Sequence, residues 1–160
     1  MRGICLGGPL LAASMRLLIP VNDSENSLWA VKYALRLQAN GLSPEVVILS
    51  VGEPVNQWQV MQFRTQQEIG QFQSHKAQSC IDEVVRSLAA GNVSCRGLFK
   101  QGDVVFSILD TAEELECDEI VLPRKKERWA GLFGRSVVQD IVRSQRSIPV
   151  VLVNGLGEST

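Results

Sequence analysis

A chain of 160 residues with 45% hydrophobic and 21% charged side chains suits one globular domain that buries roughly two-thirds of its unfolded surface. Sixteen Lys and Arg against 17 Asp and Glu leave a net charge of −1, which excludes a global pull toward nucleic acid or membrane and confines any electrostatic role to a local patch. Cys5, Cys80, Cys95 and Cys117 form no CxxC pair, and His75 is the only histidine, so the common zinc spacings are excluded, no metal site is expected, and reduced thiols in the cytoplasm are.

Residues 1–14, MRGICLGGPLLAAS, carry one arginine and a short apolar run. Gly7, Gly8 and Pro9 interrupt that run, which reads as a disordered leader or an upstream start rather than a signal peptide. The domain is expected over 15–154, with 155–160 as a tail. No apolar run approaches the ~20 residues that span a bilayer.

Arg16 to Val21, RLLIPV, is an apolar run suited to a strand buried on both faces. Pro20 cannot donate to a ladder and is expected where the strand's pairing ends. Asn22 to Asn26 is a polar turn rich in helix-capping residues, and a helix over 27–39 presents Leu28, Val31, Ala34 and Leu35 on one stripe, widened by Trp29 and Leu37. Asn40-Gly41 stops it. Glu45 to Val51 is a second buried strand, and the recurrence of Ile69, Phe72, Cys80, Ile81, Val84 and Leu88 predicts a long helix over 60–90. Val93 to Lys100 reads as a more exposed edge strand. Gly102-Asp103 opens a helix with Val105, Ile108, Leu109, Ala112 and Leu115 inward, Glu119 to Leu122 is a fourth strand, Arg135 to Ser144 a last helix, and Ile148 to Val153 a final strand. Alternating strands and helices imply right-handed crossovers and a parallel sheet covered on both faces.

In such a sheet ligands bind beyond the carboxyl ends of the strands, beside helix N-termini. The stretch Asp118 to Ser136, DEIVLPRKKERWAGLFGRS, occupies that position and carries Arg124, Lys125, Lys126, Arg128 and Arg135. These cations are either a solvated run or replacements for backbone amides that capture a phosphate or acidic group. Cations at a helix N-terminus are unfavourable without an anion, which keeps the second reading in view. Trp129, Leu132 and Phe133 are expected to pack this loop on the sheet, Cys80 and Cys117 to be buried thiols, and His75 to be exposed. No Ser/His/Asp set or close carboxylate pair marks a catalytic centre. A phosphoacceptor receiver domain would need an aspartate after strand three and a lysine after the last strand, where this chain has Lys100-Gln101 and Asn154. A flavodoxin-like carrier would need a Ser/Thr/Gly-rich loop where this chain has NDSEN.

Three segments, LLIPVNDSENS, GDVVFSILDTAEELECDEIVLP and GRSVVQDIVRSQRSIPVVLV, lie in the order and on the elements expected of the universal stress protein family, which the chain resembles over about 15–154. The resemblance implies a five-stranded parallel sheet of order 3-2-1-4-5 and a homodimer through the last strand. Pro149, Val150, Val151, Leu152 and Val153 also give an independent reason for pairing, since an apolar edge strand left bare is an association hazard; a tail covering that edge within one chain is the alternative.

The ATP-binding branch of that family carries Gly-x-x-Gly, about nine residues, then Gly-Ser or Gly-Thr. Laid on this sequence the early glycines fall at Pro123 and Lys126, and the later pair at Arg135-Ser136, so only Ser136 survives. The family's aspartate after strand one falls at Asn22, beside Asp23. The expectation is therefore a cytoplasmic, non-enzymatic stress protein acting through dimerisation and unknown protein partners, with its ATP motif degraded. The alternative is an ATP- or AMP-binding member whose modified site uses Asn22, Asp23, Val51, Pro123, Lys126, Arg135, Ser136 and Val137, with at most slow hydrolysis; Asp23 is the obvious carboxylate for magnesium.

Overall fold

The structure is a computed structural model and describes residues 14–22, 27–52, 66–124, 137–144 and 147–159. The elements in chain order are β1 (Ser14–Pro20), α1 (Ser27–Ala39), β2 (Ser43–Gly52), α2 (Gln66–Ala90), β3 (Ser94–Gln101), α3 (Val104–Glu114), β4 (Glu119–Pro123), α4 (Val137–Arg143) and β5 (Val150–Val153). The strands form one parallel sheet in the order β3-β2-β1-β4-β5. The sheet order and class are those expected from the sequence, with β3 at an edge.

Side chains on successive strand residues point to opposite faces, so an apolar run feeds two cores. Leu18, Val47, Leu49, Ile120 and Leu122 pack with Val104, Ile108, Ala112, Val137 and Ile141 of α3 and α4. On the other face Leu17, Ile19, Val46, Ile48 and Val121 pack with Ala30, Val31 and Ala34 of α1 and Ile81, Val84 and Leu88 of α2. Full burial of each Leu or Ile in these layers contributes about 1.5–3 kcal/mol before entropy is counted. Leu28, Trp29, Leu35 and Leu37 widen the α1 stripe as partly buried flanks.

Element ends follow local chemistry. α1 stops at Gly41, whose φ of 89° lies where glycine is favoured, and the Leu42 amide returns to Leu37 O at 3.0 Å. Asp103 caps α3: its backbone is extended and its carboxylate accepts from Phe106 N at 2.8 Å. β1 and β2 begin two residues earlier than expected because Ser14 and Met15 pair with Ser43 and Pro44. β5 begins two residues later than expected; Pro149 O accepts from Ile120 N at 3.0 Å, but proline returns no donor and the ladder proper starts at Val150. The described part of the long helix runs from Gln66, and the side chains of Ile69 and Phe72 lie outside the described residues.

Candidate functional site

The site region is the carboxyl end of the sheet, where β1 and β4 lie side by side while their connections leave in opposite directions: β1 leads through α1 to β2, and β4 through α4 to β5. This is the switch point at which open α/β sheets hold ligands. What ends the pairing of β1 and β4 here is chemical. β1 and β4 pair at Leu17–Glu119 and Leu18–Ile120. The Val21 amide donates to Leu49 O of β2 at 2.8 Å, so by alternation Pro20 turns its nitrogen toward β4. The amides of Ile120 and Arg124 donate toward β5, to Pro149 O and Val153 O, so Pro123 turns its nitrogen toward β1. In the observed register the next two bonds closing β1 on β4 would run from Pro20 N to Val121 O and from Pro123 N to Pro20 O. Neither nitrogen carries a hydrogen. The two prolines, both buried, halt the ladder between β1 and β4 at this end.

Asn22 stands at the end of β1, half-buried, and is tied to the start of α1. Its amide donates to Ser27 Oγ at 3.1 Å, and Ser27 Oγ donates to Asn22 Oδ1 at 3.2 Å. Ser27 is only 6% exposed, so this link fixes where α1 starts relative to the end of β1. Val51 and Gly52 end β2, and Gly52 O accepts from Gly102 N at 3.0 Å. A side chain at Gly52 would meet Gln73 Oε1 at 2.9 Å and Phe99 Cζ at 3.0 Å, which keeps this corner small. Gln73 Oε1 accepts from Gln101 Nε2 at 2.8 Å.

Pro123 is buried at the end of β4, opposite Val153. The following amide, of Arg124, donates to Val153 O at 2.8 Å. Val137 is the first residue of α4 and its side chain is fully buried in the core, so only its backbone could face a ligand. Thus Asn22, Val51, Pro123 and Val137 all fall at the carboxyl side of the sheet. Asp23, Lys126, Arg135 and Ser136 lie outside the described residues, as do Lys125, Arg128, Trp129, Leu132 and Phe133. Sequence reasoning noted Pro20 and Pro123 separately but missed that each turns its nitrogen toward the other's strand. It also passed over Ser27, for which the Asn22-to-Ser27 spacing before a helix was the available signal.

The last strand has Pro149 exposed, Val150, Val151 and Leu152 half-buried, and Val153 buried. Residues 155–159, read from sequence as a tail, continue in a tight turn: Gly157 N donates to Asn154 O at 2.9 Å, Asn154 N to Glu158 O at 3.0 Å, and Ser159 bridges Val153 in antiparallel sense.

The amino end of the same sheet is sealed. Arg16 N donates to Asp118 Oδ2 at 2.7 Å and Asp118 N to Arg16 O at 2.7 Å, closing β1 on the approach to β4. The Arg16 guanidinium reaches Glu45 Oε1 at 2.5 Å and Leu115 O at 2.6 Å, and the bond from Glu45 raises the Arg16 pKa further. Tyr33 Oη donates to Glu119 Oε1 at 3.0 Å. Burial, then the Glu119 charge, push the Tyr33 phenol up to about 12. Cys117 is buried and its thiol is pushed up to about 11 by that burial, which makes it an inert thiol at neutral pH. Cys80 is half-buried rather than buried, and His75 is exposed as expected. Among the described residues no group of three or more His, Cys, Asp or Glu could hold a metal ion, and no helix is long and apolar enough to cross a membrane.

The model of the universal stress protein family matches residues 14–154. The chain belongs to that family. No curated protein matches the chain. Among solved structures it resembles the hypothetical protein MJ0577, at 18% identity and a TM-score of 0.70 over 88% of this chain and 95% of that one. A universal stress protein in complex with cAMP is 18% identical, with a TM-score of 0.62 over 90% of this chain and 99% of that chain. A universal stress protein from Arabidopsis thaliana with AMP bound is 14% identical, with a TM-score of 0.60 over 88% and 91%. At these identities the likeness is one of fold.

Proposed function

We propose that this universal stress protein is a non-enzymatic cytoplasmic binding protein that acts by self-association through β5 and by engaging protein partners, and that the usual ATP-holding loop is lost. The supporting observation is the state of the backbone at the end of β4. Pro123 has no N–H, and the Arg124 N–H is committed to Val153 O at 2.8 Å. A polyphosphate is ordinarily held by successive free amides of a glycine-rich loop. The first two positions of this loop offer none, which supports the reading that a triphosphate cradle is lost.

A second reading is favoured by the halted ladder between β1 and β4 at the carboxyl end of the sheet and by the resemblance to structures holding cAMP and AMP. It keeps a nucleoside monophosphate at the same switch point, with Asn22 offering amide hydrogen-bonding groups to base or ribose and the side chains of Lys126 and Arg135 replacing the missing amides at the single phosphate. A monophosphate asks for fewer donors than a triphosphate.

The experiment is to denature freshly purified protein, identify any released small molecule by mass spectrometry, and titrate the protein with ATP, AMP and cAMP in the presence of magnesium. An empty protein indifferent to all three is the expected result of the first reading. Stoichiometric AMP or cAMP with no response to ATP moves the assignment to the second, and tight ATP binding overturns both. Charge reversal of Lys126 and Arg135 together then separates a ligand-holding loop, in which affinity falls with the melting temperature unchanged, from a solvated one.

A further inference from the structure

We propose that the turn from Asn154 to Ser159 is a built-in cap on the outer edge of β5, which must lift before a second copy of this chain can pair there. The inference rests on the reading that the chain self-associates through β5.

The side of β5 that the turn occupies follows from the peptide geometry. Val153 O accepts from Arg124 N, on the β4 side. Across a trans peptide the carbonyl and the next N–H point in opposite directions, so the Asn154 N–H points away from β4, onto the edge that a partner strand would use. Glu158 O already accepts that N–H at 3.0 Å, and Ser159 lies opposite Val153 in antiparallel sense. A partner strand running antiparallel to β5 would need the same position.

The turn is constructed rather than draped. Asn154 Oδ1 accepts from Leu156 N at 2.9 Å and from Glu158 N at 3.0 Å, and Asn154 Nδ2 donates to Glu158 Oε2 at 3.2 Å. Gly157 adopts φ 80° and is buried. A Cβ there would stand 2.6 Å from Lys32 Cβ and 2.8 Å from Tyr33 N, so the turn backbone lies directly against α1. Lys32 Nζ donates to Gly155 O at 3.0 Å, the Trp29 ring passes beside Gly155, and Arg36 stands 3.8 Å from Glu158. Apart from the buried Gly157 backbone and the Trp29 ring, the contacts holding the turn are polar and at the surface, the kind of docking that can open without unfolding the sheet.

A cap of this kind weakens association by the fraction of chains in which it is open, and the effect enters once for each of two chains. The test measures the dimer dissociation constant by sedimentation over a concentration series for the wild-type chain, Gly157→Val and Asn154→Ala. Gly157→Val drives the turn off α1, and Asn154→Ala removes the one acceptor that takes two bonds within it, with far-UV circular dichroism confirming the fold of each. Both variants should dimerise about tenfold or more tightly than wild type. A dimer whose constant is the same in all three overturns the cap and leaves the self-association reading standing. Weaker dimerisation in the variants makes the turn part of the interface, which also overturns it. Monomers throughout, in all three chains, overturn the self-association reading itself and the cap with it.

Discussion

β1 and β4 are treated in opposite ways at their two ends. At the amino end Arg16, Asp118, Glu45 and Leu115 O form a closed set of hydrogen bonds, with Tyr33 and Glu119 adding another beside it. At the carboxyl end Pro20 and Pro123 each turn a nitrogen without a hydrogen toward the other's strand, and the ladder stops. Adjacent strands in one sheet can therefore be locked at one end and parted at the other by the placement of donors alone. Hydrogen bonding between β1 and β4 is thus concentrated at the amino end, and the end left unpaired is the one at which open α/β sheets hold ligands.

The largest way to break this contrast is Leu18→Ala, which empties the last paired rung of β1 against β4. Leu18 is fully buried, and the loss should be about 2–5 kcal/mol in urea denaturation. Next, Arg16→Ala removes the guanidinium from Glu45 and Leu115 O and should destabilise by about 1 kcal/mol, allowing for solvent screening at a partly exposed site; no effect on any ligand titration is expected. Smaller still in stability is Pro20→Val with Pro123→Val, which restores both missing donors. The net change should stay within about 1 kcal/mol, since a regained bond is offset by a more flexible unfolded chain. Hydrogen exchange should report newly protected amides at 20 and 123, and any nucleotide affinity should fall; unprotected amides would show that the strands part for another reason.

The smallest effect is silent at neutral pH. The Tyr33 phenol titrates in the folded chain at about 12, above its ordinary value near 10. Folding therefore favours the protonated phenol, so its contribution is fully present below about pH 10 and is lost as pH rises toward about 12. Tyr33→Phe should flatten that alkaline loss in melting curves recorded between pH 9 and 12, leaving the melting temperature at pH 7 changed by no more than the loss of one hydrogen bond. An unchanged alkaline slope would detach Tyr33 from Glu119.

Much of the fold was legible in the residues. Runs such as RLLIPV and EVVILSV announce strands buried on both faces, and the observed Leu18 and Leu17 do feed opposite cores. Asp103 capped its helix as its position predicted, because a capping carboxylate is a local interaction. Boundaries moved by a few residues where pairing partners, absent from a one-dimensional reading, extended β1 or trimmed β5. The site was legible in position and less so in construction: Pro20 and Pro123 are 103 residues apart in the sequence, and nothing in either segment says that each turns its nitrogen toward the other's strand.

The sequence by itself determined the class of sheet, the alternation of strands and helices, the kinship to the universal stress family, and the missing glycines at Pro123, Lys126 and Arg135. These depend on periodicity and on residue types that act within a few neighbours. Only the tertiary structure decided which strand each proline nitrogen faces, that the Arg124 amide is spent on Val153 O, and that the residues after Asn154 fold back onto α1 and the edge of β5. Those outcomes depend on hydrogen-bond register and on which side of a strand a peptide points, quantities set by the neighbour a segment meets in space and not by the segment itself.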